Sequence, residues 1–284
     1  MIVHTQNQEL AQQLSEWQDQ GNSVGFVPTM GALHRGHASL CTTARSTTDR
    51  VVVSIFVNPS QFTDAQDLEK YPRTIDQDLD TLSSLGVDAV YLPDADDVYP
   101  AGYTQPVYEL GTLEQVMEGL HRPGHFQGVA AVLDRFFQKL PMDVAFFGEK
   151  DFQQVAVVRK LVELRGYELA VRGCPTMREK CGLAMSSRNT RLSLQGRQKA
   201  CMIHQGLLDI KEQTADVFEA ELVVQTIKKW TALGMDVEYL ELANDSTFQA
   251  AQPGAPLSLE DPWRLFAAVH LDGVRLIDNL ALKS

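Results

Sequence analysis

The chain has 284 residues, 44% of them apolar and 22% charged, the mix of an ordinary water-soluble protein long enough to bury a core without staples. Its formal charge of −12 argues against nonspecific binding to nucleic acid or to an anionic membrane, because such a surface repels phosphate. An anionic substrate would have to meet a local basic patch that opposes this field.

The expected elements alternate. Residues 23–28 read as a short buried strand, 36–48 as a helix, and the β-branched stretch 50–57 as a central strand. Residues 76–85 read as a helix, with Leu79, Leu82 and Leu85 at helical spacing, and 88–92 as the next strand. A helix over 129–140, a strand over 143–147 and a helix over 151–165 follow. Strands alternating with helices imply a parallel sheet covered on both faces, and therefore an α/β, Rossmann-like doubly wound domain over residues 1–174. Past residue 175 the character shifts. Helices over 195–213 and 218–233, then strands over 237–242, 264–271 and 274–277, describe a second, smaller α+β domain over 175–284.

The N-terminal 14 residues lack the basic-then-apolar pattern of a secretion signal, and no apolar run approaches the roughly 20 residues that span a bilayer. A cytoplasmic protein is expected. Cys41, Cys174, Cys181 and Cys201 form no CxxC pair and no zinc-ribbon spacing, so free thiols are expected.

Three segments carry chemistry. The first, 27–37 (VPTMGALHRGH), joins the first central strand to its helix. That carboxyl edge is where α/β sheets bind ligands, and a helix N-terminus there offers free N–H groups to a phosphate. Gly31 and Gly36 allow close backbone approach, and His34 and His37, three apart, fall on nearly one side of the helix. Two imidazoles so placed can donate to phosphate oxygens, as cations where charge builds up. A zinc site would need a third ligand, which the neighbourhood does not offer. The second segment, 147–154 (FGEKDFQQ), again follows a strand, with Lys150 as a phosphate grip and Asp151 and Gln154 able to face one ligand. The third, 184–189 (AMSSRN), puts two hydroxyls and a guanidinium into a loop. Each has a blander reading: a turn with two surface histidines, an ordinary capped helix, a solvated serine-rich loop.

Read together, the segments resemble the pantothenate synthetase family of the nucleotidylyltransferase superfamily. The HxGH of residues 34–37 is a superfamily-level signature. The longer PTMGALHRGH of 28–37 is more specific, as are FVNPSQF (56–62), RPGHF (122–126), MSSRN (185–189) and RLIDN (275–279). The resemblance spans nearly the whole chain. It implies a Rossmann-like domain with a small C-terminal domain acting as lid, a homodimer, and an ATP-dependent ligation of pantoate and β-alanine assisted by Mg²⁺. Pantoyl adenylate and pyrophosphate form first, then pantothenate and AMP.

It also implies site residues. His34 and His37 would stabilise the leaving pyrophosphate, with Lys150 and Arg188 completing the catalytic set. Met30, Gly31, Ala32, Leu33, Arg35 and Gly36 would hold the nucleotide, with Gly148, Glu149 and Asp151 on the nucleoside and Met177 at the adenine. Met185, Ser186 and Ser187 would close with Arg188 over the phosphates. Gln61 and Gln154 would grip pantoate through neutral amides, and Asp78 matches a position near the magnesium ion. The loop departs from the family at Lys180-Cys181-Gly182, where Asp usually precedes the glycine, so any role of that carboxylate is lost. Two other readings remain: a sister nucleotidylyltransferase acting on a phosphate ester, and a nucleotide-binding protein without turnover.

Overall fold

A computed structural model describes residues 1–284 apart from 64, 215–217, 253, 255, 256, 259, 260 and 284. The chain divides into two compact units, Met1–Pro175 and Thr176–Ser284.

The first unit carries strands β1 (Ile2–His4), β2 (Val24–Thr29), β3 (Arg50–Ile55), β4 (Ala89–Tyr91), β5 (Val144–Gly148) and β6 (Ala170–Cys174). Its helices are α1 (Asn7–Asp19), α2 (Arg35–Arg45), α3 (Ala65–Glu69), α4 (Ile75–Ser84), α5 (Ala95–Val98), α6 (Met117–His121), α7 (His125–Lys139) and α8 (Phe152–Arg165). The six strands form one parallel sheet in the order β1-β4-β3-β2-β5-β6. The α/β doubly wound expectation holds, and the parallel sheet reads as a continuous apolar run because helices cover both its faces. Val51, Val52 and Val53 are all at most 1% exposed.

The chain leaves β2 toward β3 and β4 on one side, while β5 and β6 lie on the other. The order therefore reverses between β2 and β5, which places the carboxyl ends of those two strands side by side. Open α/β sheets bind ligands at such a reversal.

Three differences from the sequence reading have local causes. β1 and β6 lie at the sheet edges and are partly exposed, so their apolar pattern is weak; Ile2 and Val3 are exposed. Helix α1 was not expected, although Leu10, Leu14 and Trp17 share one buried stripe; Gln and Glu around them mask it. Helix α7 begins one turn earlier than expected, at His125, because Gly124 turns the chain with φ +83°.

The second unit holds α9 (Leu194–Gln213), α10 (Ala220–Ala232) and the antiparallel sheet β7 (Asp236–Asn244), β8 (Trp263–Leu271) and β9 (Val274–Ala281). The β8–β9 hairpin turns on Asp272 and Gly273, both at positive φ, the pair such a two-residue turn requires. Its core gathers Ile203, Leu207 and Ile210 of α9, Trp230 of α10, and Leu265, Ala267 and Val269 of β8. Among the described residues, no helix is long and apolar enough to cross a membrane.

The cysteine expectation is corrected in part. Cys41 and Cys174 are free and buried, but Cys181 and Cys201 are disulfide-bonded, with their Cα atoms 5.6 Å apart. Linear spacing could not show this, since the two lie 20 residues apart and meet only because a tight hairpin sets its tip against α9.

Candidate active site

Strand β2 ends at Thr29, and the chain turns through Gly31 (φ +78°) and Ala32 (φ +50°) before α2 begins. Two successive left-handed residues raise the backbone N–H groups out of the strand direction, a strained arrangement that needs outside support. Asp78, on the first turn of α4 and 2% exposed, supplies it. Oδ2 accepts from Ala32 N at 2.9 Å and from Thr74 Oγ1 at 3.2 Å, and Oδ1 accepts from Leu33 N at 2.8 Å. Gly31 packs so tightly here that a Cβ would lie 3.0 Å from Asp78 Oδ2. Both oxygens of Asp78 are thus committed to the loop. Among the described residues no group of three His, Cys, Asp or Glu side chains could hold a metal ion.

Helix α2 starts with a reciprocal histidine cap. His34 Nδ1 accepts from Gly36 N at 3.1 Å, and His37 Nδ1 accepts from His34 N at 3.3 Å. The ring centroids lie 4.1 Å apart. An imidazole nitrogen that accepts carries no proton, so each neutral ring bears its hydrogen on Nε2. Burial is the main reason both stay neutral. It lowers His34 to about 4, with Lys150 adding to the effect, and His37 to about 3, with His34 and Lys150 adding. The sequence left room for imidazolium; the structure makes this pair neutral donors.

Strand β5 ends at Gly148, and a short 3-10 turn, Glu149–Asp151, leads into α8. Lys150 Nζ lies 3.5 Å from Asp151 Oδ1, and its ammonium is close enough to both histidines to depress them. Glu149 leans the other way, over β6: a Cβ on Gly173 would lie 2.8 Å from its Oε1. Gln154 is half-buried near the start of α8. Its neighbour Gln153 is buried and structural, bonding Leu113 O, Val116 O and Glu118 N. The helical turn separates the two by about 100°.

Gln61 closes the 3-10 turn Pro59–Gln61 that follows β3. Its Nε2 lies 3.1 Å from Met30 Sδ, which brings FVNPSQF against PTMGALHRGH. Two residues that sequence reasoning quoted but assigned no role fix it. Asn58, 1% exposed, donates through Nδ2 to Gln61 Oε1 at 3.1 Å, while its own Oδ1 accepts from Ser60 N, Ser60 Oγ and Tyr99 OH. His125, 5% exposed, holds Gln61 O from Nδ1 at 2.7 Å. Burial lowers His125 to about 4, so it is neutral and Nδ1 is the donor. Their signal lay in the motifs themselves, as buried polar side chains inside apolar stretches.

The remaining expected residues lie in the second unit. Met177 and Met185 face across a short hairpin, Met185 N donating to Met177 O at 2.9 Å. Ser186 Oγ accepts from Arg188 N at 3.3 Å and caps the 3-10 turn Ser187–Arg191. Arg178 anchors the hairpin by two hydrogen bonds to Asp278, at 2.6 and 2.9 Å. Asn189 ties it further, to Glu179 Oε1 and Ala184 O, each at 3.0 Å.

Residues 2–281 match the model of a family described as pantoate-beta-alanine ligase. The pantothenate synthetase of Ruegeria pomeroyi is 46% identical over 94% of this chain and 92% of its own length. That of Cereibacter sphaeroides is 47% identical over 96% of each. The crystal structure of pantothenate synthetase from Thermus thermophilus superposes with a TM-score of 0.90 at 38% identity, covering all of both chains. A pantoate-beta-alanine ligase from Francisella tularensis, solved in complex with "beta-gamma ATP" and beta-alanine, gives 0.83 at 33% identity, covering 100% of this chain and 98% of its own. With residues 2–281 matched by the family model and relatives matched end to end, the chain belongs to the pantoate–β-alanine ligase, or pantothenate synthetase, family.

Proposed function

We propose that this chain performs the family's ATP-dependent ligation of pantoate and β-alanine at the carboxyl ends of β2 and β5, with the roles set out below. The observation that carries the assignment is the histidine cap of α2. Two neutral imidazoles, each with Nδ1 already accepting, present Nε2–H groups beside Lys150 at the sheet reversal.

In the first step a pantoate carboxylate oxygen attacks the α-phosphorus of ATP, and the bond to the bridging oxygen breaks to release pyrophosphate. Charge grows on that leaving group. Preorganised donors that need no reorientation meet such charge most effectively. His34 and His37 do so through Nε2–H, Lys150 through its ammonium, and the α2 N-terminus through its dipole. The raised backbone from Met30 to Gly36, with Arg35 at the helix start, would cradle the nucleotide, as Gly148, Glu149 and Asp151 would on the nucleoside side.

Asn58 occupies Gln61 Oε1, so the Gln61 amide offers its N–H₂ end to an incoming oxygen. This suits a hydroxy acid and, with Gln154, orients pantoate without adding a charge. In the second step the neutral amine of β-alanine attacks the acyl carbon. The bond to the adenylate oxygen breaks, AMP leaves, and the amine nitrogen loses a proton. From the second unit, Ser186, Ser187 and Arg188 would grip phosphate as a lid, with Met185 beside them and Met177 at the adenine.

Magnesium belongs to the reading through the resemblance. Both Asp78 oxygens bond the loop, and among the described residues no group of three His, Cys, Asp or Glu side chains could hold the ion. A homodimer and a cytoplasmic location complete the proposal. The test is product analysis: protein, ATP, Mg²⁺, pantoate and β-alanine should yield AMP and pantothenate together, and neither when pantoate is omitted. A nucleotide-linked product in place of AMP would favour a sister transferase and sink the assignment.

A further inference from the structure

The four cysteines divide into two kinds. Cys41 and Cys174 are buried, and burial pushes both thiols up, Cys41 to about 12. Neither forms a thiolate near neutral pH, and the thiolate is the reactive form. Cys181 and Cys201 are different. Cys181 is exposed at the hairpin tip between Lys180 and Gly182, Cys201 is half-buried on α9, and their Cα separation of 5.6 Å lies in the ordinary range for a disulfide. Exposure of Cys181 lets a small disulfide reach it.

The position of this pair gives it a consequence. The bond joins positions 20 apart into a covalent ring, and Ser186, Ser187 and Arg188 lie inside that ring. The stem of the hairpin is already fixed by Arg178 on Asp278 and by Asn189 on Glu179. Arg178 also donates to Gly182 O at 3.1 Å, and to these hydrogen bonds the disulfide adds a covalent restraint at the tip.

We propose that Cys181 and Cys201 are a reversible thiol–disulfide site that clasps the segment bearing Ser186–Arg188 when oxidised and releases it when reduced. The oxidant is a low-molecular-weight disulfide such as oxidised glutathione. The Cys181 thiolate attacks one of its sulfurs and expels a glutathione thiolate. The Cys201 thiolate then attacks Cys181 Sγ and expels the second. The two protein thiols lose two protons and two electrons in all, and one oxidised glutathione becomes two reduced molecules. The effect of the clasp on turnover rests on the reading that this segment grips phosphate; the closure of the ring does not.

The test equilibrates the full chain in glutathione buffers from fully reduced to fully oxidised. Remaining thiols are alkylated and each cysteine peptide is read by mass spectrometry. On the same samples, tryptic cleavage after Arg188 and Arg191 is timed on reducing gels, and AMP release is measured. Cys181 and Cys201 are expected to lose label together while Cys41 and Cys174, unfolded before labelling, keep it. Cleavage in the oxidised form should slow at least threefold, AMP release should fall at least threefold, and dithiothreitol should restore both. Cys201→Ser, whose hydroxyl can keep the contact that Cys201 Sγ makes with Arg197 O at 3.2 Å, should match the reduced wild type in every buffer. Both cysteines remaining labelled in oxidising buffer, or each carrying glutathione separately, overturns the proposal. So does ring closure with unchanged cleavage. A chain that makes no AMP even when reduced refutes the ligase reading alone, since labelling and cleavage still decide the clasp.

Discussion

Asn58 donates to Gln61 Oε1 at 3.1 Å, and this decides which end of the Gln61 amide is offered to a ligand. A glutamine can present either end. Here the oxygen is taken, and the nitrogen stands beside Met30 Sδ at 3.1 Å. The pair therefore forms a donor site for an oxygen-rich substrate.

Gln61→Glu is expected to abolish use of pantoate, lowering kcat/KM about a hundredfold or more, because a carboxylate opposes a carboxylate where a donor stood. Gln61→Ala should raise the KM for pantoate more than that for ATP. Asn58→Ala should show the same pattern more weakly, and the double variant should fall short of the sum. Steady-state kinetics in each substrate check this; equal effects on ATP and pantoate would make Gln61 merely structural.

His37→Ala removes one of two neutral donors and part of the α2 cap. Turnover is expected to fall about a hundred- to a thousandfold, the scale of losing one preorganised donor, while the far-ultraviolet dichroism stays that of the wild type. Turnover within fivefold of the parent would count heavily against the assignment.

Asp78→Asn keeps the shape of the side chain but turns one acceptor into a donor facing a backbone N–H. A loss of about 2 kcal/mol in stability and about tenfold in kcat/KM is expected, with the half-saturating Mg²⁺ concentration unchanged. Denaturant unfolding and a magnesium titration separate the outcomes. A large rise in the magnesium requirement at unchanged stability would place Asp78 at the metal instead.

His34, His37 and His125 are all held below the ordinary value of 6.5, at about 4, 3 and 4. The unfolded chain takes up these protons from about 6.5 downward, while the folded chain refuses them until near 4 or 3. Their contribution to stability is full above pH 6.5 and is lost as pH falls from there toward 3. Calorimetry between pH 7 and pH 5 should show a melting temperature falling by roughly 5–10 °C. His125→Asn should flatten that slope. A melting temperature that holds steady over this range contradicts the neutral-histidine picture.

Gly128→Ala tests how Gln61 is held from behind. A Cβ at Gly128 on α7 would lie 2.2 Å from Ser60 O, and backbone cannot yield as a side-chain end can. The substitution should cost about 3 kcal/mol and displace the Pro59–Gln61 turn. A pantoate KM above threefold of the parent accompanies it; wild-type stability and KM together exclude this packing.

The pattern along the chain was enough for the central strands β2, β3 and β5 and helices α2, α4 and α8, because burial on both faces or on one stripe leaves a periodic mark. The edge strands β1 and β6 left little mark, being half-exposed. In the candidate site, the motifs named His34, His37, Lys150 and Gln61. They did not single out Asn58 or His125, whose work is to bond other site groups. Asp78 was legible as a family position, but not as the acceptor for Ala32 and Leu33, 46 and 45 residues away.

By itself, then, the sequence determined the alternation of strands and helices and the motifs that fall at strand ends, since both are recorded by local spacing. Tertiary structure decided the protonation of the histidines, the orientation of Gln61, the duty of Asp78 and the Cys181–Cys201 bond. A side chain's charge and hydrogen bonds depend on burial and on partners brought from elsewhere in the chain, as the separation of 64 positions between Gln61 and His125 shows. No local pattern encodes that distance.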